Sequence, residues 1–140
     1  MGSRRRAREL ALQLLYQYEL THAQPEQMQS DFEEWNGASD GVREFADGLL
    51  RGTLEHLAEI DQELERQTAH WRLDRLAAVD RNILRLAMYE LLFQSETPRA
   101  VVIDEAIEIA KRFGSERSSQ FVNGVLDGVL HRQAPRGSSG

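Results

Sequence analysis

Four arginines crowd the start of the chain: Arg4, Arg5, Arg6 and Arg8. On a helix Arg4 and Arg8 share a face one turn apart, and Arg5 and Arg6 splay around it. Positive charge at a helix N-terminus opposes the macrodipole, so an anionic partner would relieve the arrangement. Guanidinium forks hold phosphate oxygens and stack on bases. The chemistry on offer is therefore RNA recognition. Two other readings stay open. One is a solvated, frayed terminus. The other is a membrane-surface helix, which Glu9, Gln13 and Gln17 argue against by diluting the polar face.

A second constellation is Arg117-Ser118-Ser119-Gln120-Phe121-Val122-Asn123-Gly124. It reads as the opening of a helix, where free N–H groups attract anions and Ser118 or Ser119 can cap them. Phe121 could stack on a base or pack in the core, since it also lies on an apolar stripe. Asn-Gly inside a helical pattern is costly and suggests close approach of another backbone or a ligand. A third stretch, Arg72 to Arg85, alternates charges of both signs with Leu73, Leu76, Val79, Ile83 and Leu84. It suits a protein-docking face or, equally, internal caps and salt bridges.

Catalytic patterns are missing. The chain has no cysteine, and its histidines, at 22, 56, 70 and 131, show no ligand spacing. Glu105-x-x-Glu108 approaches a di-iron motif but lacks the histidine, and it reads as a solvated helix face. The sole lysine, Lys111, has no glycine-rich phosphate loop before it. We expect no enzyme, no metal and no cofactor.

These groups must be positioned by helices. Apolar residues recur at steps of three and four over 4–21 and 42–66, then over 80–94, 98–113 and 119–132. Met28, Phe32 and Trp35 suggest one short helix over 26–36, and Ser39 or Asp40 caps the helix that follows. Gly48 and Gly52 predict close helix packing. Thr97-Pro98 predicts an N-cap with proline at the first helical position, and Gly114 a left-handed C-terminal cap. No strand-like alternation occurs. The expectation is an all-α fold of about seven helices, one domain over 1–134, with a disordered polar tail at 135–140.

Net charge is −6, which taken whole speaks against a nucleic-acid binder. The distribution reverses that. Residues 24–65 hold two Arg against twelve acids, whereas 1–23 hold four Arg against two Glu, and 66–140 hold eleven Lys/Arg against nine acids. Both ends can face a polyanion. No run of 18 apolar residues predicts a membrane span. Polar residues interrupt the basic start too early for a signal peptide, so a cytoplasmic protein is expected.

Together the three segments resemble NusB, the bacterial transcription antitermination factor family. The likeness lies in Arg4-Arg5-Arg6-Ala7-Arg8-Glu9-Leu10-Ala11-Leu12-Gln13 with Leu15-Tyr16, and in Leu76, Val79-Asp80 and Ile83-Leu84-Arg85-Leu86-Ala87 with Tyr89-Glu90-Leu91. It continues through Pro98, Glu105-Ala106-Ile107, Ala110-Lys111 and Phe113-Gly114 to Phe121-Val122-Asn123-Gly124-Val125-Leu126-Asp127. The order is the family's; residues 24–70 carry no signature. The resemblance implies two packed helical subdomains and no catalysis. It implies binding to boxA RNA, a heterodimer with NusE (also a small-subunit ribosomal protein), and work in the transcription elongation complex. It places Arg5, Arg6, Arg8, Tyr16 and Phe121 on the RNA, to which the basic start adds Arg4 and the last helix entry adds Arg117. Asp80, with Asp74 and Arg75, would face NusE. A homodimer through the same face, a protein-interaction module without RNA binding, and a domain severed from an RNA methyltransferase are the alternatives. The last lacks any nucleotide-binding glycine motif.

Overall fold

The computed structural model describes residues 2–68 and 72–139, the side chains of 132–139 excepted. Every regular element among them is helical: α1 (Ser3–Thr21), α2 (Pro25–Ser30), α3 (Glu33–Asn36), α4 (Asp40–Glu55), α5 (Leu57–Gln67), a single 3-10 turn (Leu73–Arg75), α6 (Ala78–Phe93), α7 (Arg99–Phe113) and α8 (Glu116–Ser139). The tail expected at 135–140 lies outside the residues whose side chains are described, and His70 lies outside the described residues altogether.

Helix α6 is the hub. It packs against α1, α4, α5, α7 and α8, while α2 packs on α1 and α3 on α2. One continuous core runs through these helices, with α1 seated against both α4 and α6. Its fully buried members include Leu10 and Leu15 of α1, Leu49 and Leu50 of α4, Leu84 and Met88 of α6, and Val122 and Leu126 of α8. These are the residues that the three-and-four spacing selects.

Local chemistry sets the helix ends, in places differently from expectation. Residues 26–36 form two short helices, broken at Asp31–Phe32, with Met28 and Trp35 still buried. The pattern over 42–66 is also two helices, separated at His56. Ser39 caps α4, its Oγ accepting from the Val42 N–H at 3.3 Å. The Arg43 Nη1 donates to the carbonyls of Trp35, Asn36 and Ala38, tying α3 to α4. Helix α7 begins one residue later than expected: Pro98 itself stands at the cap and no side chain caps it.

Gly114 is not left-handed, with φ −116°. It is small for another reason: a Cβ there would sit 2.6 Å from Ser118 Oγ and 3.0 Å from the Ala110 carbonyl. The left-handed residue is His22, φ 57°, which closes α1 with its N–H on the Tyr18 carbonyl at 2.8 Å. Of the paired glycines, Gly52 does permit close packing, since a Cβ would strike the Tyr89 ring; Gly48 faces open space.

Candidate nucleic-acid interface

The first two turns of α1 carry the four arginines, and no acid lies in the first turn to offset them. Their surroundings differ. Arg4 is exposed and lies over the Phe45 ring of α4, its guanidinium carbon 4.1 Å from the centroid. A cation so placed is attracted by the ring's negative face. Arg5 donates through Nε and Nη2 to both oxygens of Glu105 on α7, at 2.8 and 2.9 Å. The Glu105 hydrogen bonds raise the Arg5 pKa against a smaller opposing effect of burial, and those same bonds lower that of Glu105. Both groups stay charged across any physiological pH.

Arg8 is placed unlike its neighbours. It is 6% exposed, and its Nε and Nη2 donate to the two oxygens of Glu90 on α6 at 2.8 and 2.7 Å. An arginine so enclosed anchors α1 to the core and does not face solvent. Sequence spacing could not reveal this, because Arg4 and Arg8 share a face and only Arg8 finds a buried carboxylate, Glu90, on another helix. Glu105 likewise departs from its expected solvated face; only Glu108 lies there, 3.7 Å from Lys111.

Two residues that sequence reading missed enter here. Glu9, its side chain 3% exposed, stands 3.6 Å from Arg6 and accepts from the Arg112 Nη1 at 3.2 Å. Arg112, at the last turn of α7, thereby joins an arginine group that begins at residue 4. The signal available was weak: a basic pair, Lys111-Arg112, where the helix macrodipole already favours cations.

Further along the same face of α1, Tyr16 is exposed, 46%. It lines an open groove of about 840 Å³ between α1, α2 with the residues that follow it, the start of α6 and the end of α7, with Leu12, Met28, Phe32, Val79 and Phe113 among its walls beside Gln13, Gln17 and Gln27. Phe121, the other expected stacking group, is half-buried and packs against the core. Ser115, not Ser118 or Ser119, caps α8, its Oγ accepting from the Ser118 N–H at 3.0 Å; Ser119 is buried and donates to the Glu116 carbonyl. Arg117 is exposed in that first turn. Gly124 is exposed, with nothing among the described residues within 4 Å of where a Cβ would be, so no described backbone accounts for it.

The mixed-charge stretch divides. Asp74 and Arg75 are exposed on the 3-10 turn, and Asp74 pairs with Arg72 at 3.0 Å. Arg81 and Arg85 turn inward: both bind Glu19 of α1, and Arg85 also holds Asp61 of α5. Burial works against the charge on Glu19, but bonds from Arg81, Asn82 and Arg85 prevail and lower its pKa to about 2. Asp80 sits in the first turn of α6, half-buried, with Oδ1 enclosed and unpartnered among the described residues.

No group of three or more metal-ligating side chains exists among the described residues. No described helix is long and apolar enough to cross a membrane.

Comparison with known proteins agrees with this layout. The model of the NusB family matches residues 5–131. The transcription antitermination protein NusB of Desulfitobacterium hafniense is 49% identical over 131 residues, covering 91% of this chain and 88% of that one. The NusB of Geobacter sulfurreducens is 48% identical over 139 residues, covering 98% and 100%. Among solved structures, T. maritima NusB superposes with a TM-score of 0.80 at 43% identity, covering 91% of this chain and 90% of that one. A chain from the crystal structure of antitermination factors NusB and NusE in complex with dsRNA gives 0.84 at 31%, covering 94% and 98%. This chain belongs to the NusB family, whose members are non-catalytic antitermination factors.

Proposed function

We propose that this protein binds the boxA RNA of nascent transcripts together with NusE, and that the pair acts in the transcription elongation complex, notably on ribosomal RNA, in the cytoplasm. The observation that carries the reading is the cationic start of α1: Arg4, Arg5 and Arg6 lie there with no acid in the first turn, in a chain whose acidity is concentrated in residues 24–65. Relatives named as antitermination proteins, and a similar structure described as containing NusE and dsRNA, support it. Arg4, Arg5, Arg6 and Arg117 would meet phosphates; Tyr16 and Phe121 would meet bases. Arg8 would act from behind, holding α1 in place through Glu90. The exposed Asp74 and Arg75, with Asp80, whose Oδ1 has no partner among the described residues, would face NusE.

The test is titration of labelled boxA-type RNA with and without NusE across salt. Because Arg8 is built into the core, the informative variant replaces Arg4, Arg5 and Arg6 with Ala. Binding should weaken and its salt dependence flatten. A variant that bound as tightly as wild type at about 150 mM salt would sink the assignment of those arginines. Asp80→Ala should reduce the gain from NusE and leave binding by the isolated chain unchanged. No RNA shift by the wild-type chain, even with NusE, would favour a protein-interaction module.

A further inference from the structure

The Glu9 carboxylate lies between two guanidinium groups that come from positions 6 and 112. Its side chain is 3% exposed, while those of Arg6 and Arg112 are 40% and 66% exposed. A buried acid shared by two exposed cations leaves one positive charge in excess. It also holds two long side chains side by side, so less rotamer freedom is lost when an anion arrives. The donors are not used up. Arginine has five N–H groups; Arg112 gives Glu9 a bond through Nη1, and the Arg6 contact, at 3.6 Å, is a charge contact and not a hydrogen bond.

Location adds to this. Arg6, Glu9, Gln13 and Tyr16 follow one another at steps of three and four, hence on one face of α1. The Arg112 guanidinium lies 5.5 Å from the centroid of the Phe113 ring, and Phe113 lines the groove beside Tyr16. An anionic strand running along α1 past Tyr16 would meet both arginines.

We propose that Arg6 and Arg112, set on either side of Glu9, form a clamp for one backbone phosphate of the bound RNA, so that the RNA face includes the last turn of α7. This rests on the RNA reading above. The simpler role for Arg112, favouring the negative end of the α7 macrodipole, predicts an effect on stability alone.

The experiment measures binding of a labelled single-stranded boxA-type RNA to the full chain over a salt series, for wild type, Arg112→Gln, Arg112→Lys and Arg99→Gln. Arg99 opens the same helix, roughly 20 Å from Arg112 along its axis, so it controls for loss of charge as such. Arg112→Gln should weaken binding roughly three- to tenfold near 100 mM salt and lower the slope of log K against log salt by about 0.7. Arg112→Lys should keep the slope, and Arg99→Gln should keep both. Arg112 is exposed, and thermal melts will show each variant folded. If wild type binds and Arg112→Gln matches it in affinity and slope, or if Arg99→Gln lowers the slope as much, the clamp is overturned while the RNA reading stands. If wild type does not bind, both fall.

Discussion

Arg8 and Glu90 meet as a closed, two-bonded pair inside the protein, at 2.8 and 2.7 Å, with neither side chain more than 7% exposed. The cationic helix α1 is thereby bolted to the hub helix α6 through one of its own arginines.

A pair so buried is costly to break and cheap to replace. Arg8→Ala or Glu90→Ala alone should destabilise the fold by about 3–5 kcal/mol, because each leaves a charge uncompensated. The double change Arg8→Met with Glu90→Leu should come close to wild type. Urea denaturation of the three variants checks this. Single variants no less stable than wild type would show that water reaches the pair.

Glu19 sets an acid limit. Its pKa of about 2 in the folded chain lies below the ordinary value of 4.5. The stability it contributes is therefore complete above about pH 4.5 and is lost as pH falls towards 2. The size is roughly 3 kcal/mol. Glu105, lowered by Arg5, acts in the same direction. Glu19→Gln should be less stable than wild type at pH 7 and should show a flatter decline between pH 4.5 and 2. Parallel urea curves over that range would contradict the assignment.

Two glycines four residues apart on α4 should respond with opposite signs. Gly52→Ala drives a methyl into the Tyr89 ring and should cost about 1–3 kcal/mol. Gly48→Ala enters open space on an exposed helix face and should stabilise by up to about 1 kcal/mol. Thermal or urea melts decide.

Tyr16 and Phe121 separate recognition from folding. Tyr16→Ala removes an exposed ring and should weaken RNA binding by about 1–3 kcal/mol if a base stacks there, with little change in melting. Phe121→Ala touches the core as well, so it should lower both RNA affinity and stability. Loss of stability without loss of affinity would return Phe121 to packing alone.

Periodicity made the long helices legible. The stripe Val102, Ala106, Ala110 and the stripe Val122, Leu126, Val129 are buried where spacing put them. It failed where a helix is too short to show a period, as at the Asp31–Phe32 break, and where two helices share one continuous pattern, as at His56. Gly114 looked like a left-handed cap because glycine after a helix usually is one; here the crowding is from Ser118. In the candidate site, composition and order revealed the arginines but not their partners. Which arginine turns inward depends on Glu90, and which cation joins Arg6 depends on Glu9 facing α7. Both facts exist only after the helices have packed.

The separations have a kinetic side. Arg5 closes on a residue 100 positions away, Arg8 on one 82 away, and Glu9 on one 103 away. Contacts of that reach form late, since the intervening chain must be ordered before they can reward it. During synthesis α1 is made long before α6 and α7, so Arg5 and Arg8 precede the carboxylates that orient them. A chain that has only α1 folded carries a diffuse basic arm; the shaped surface comes into being together with the completed fold.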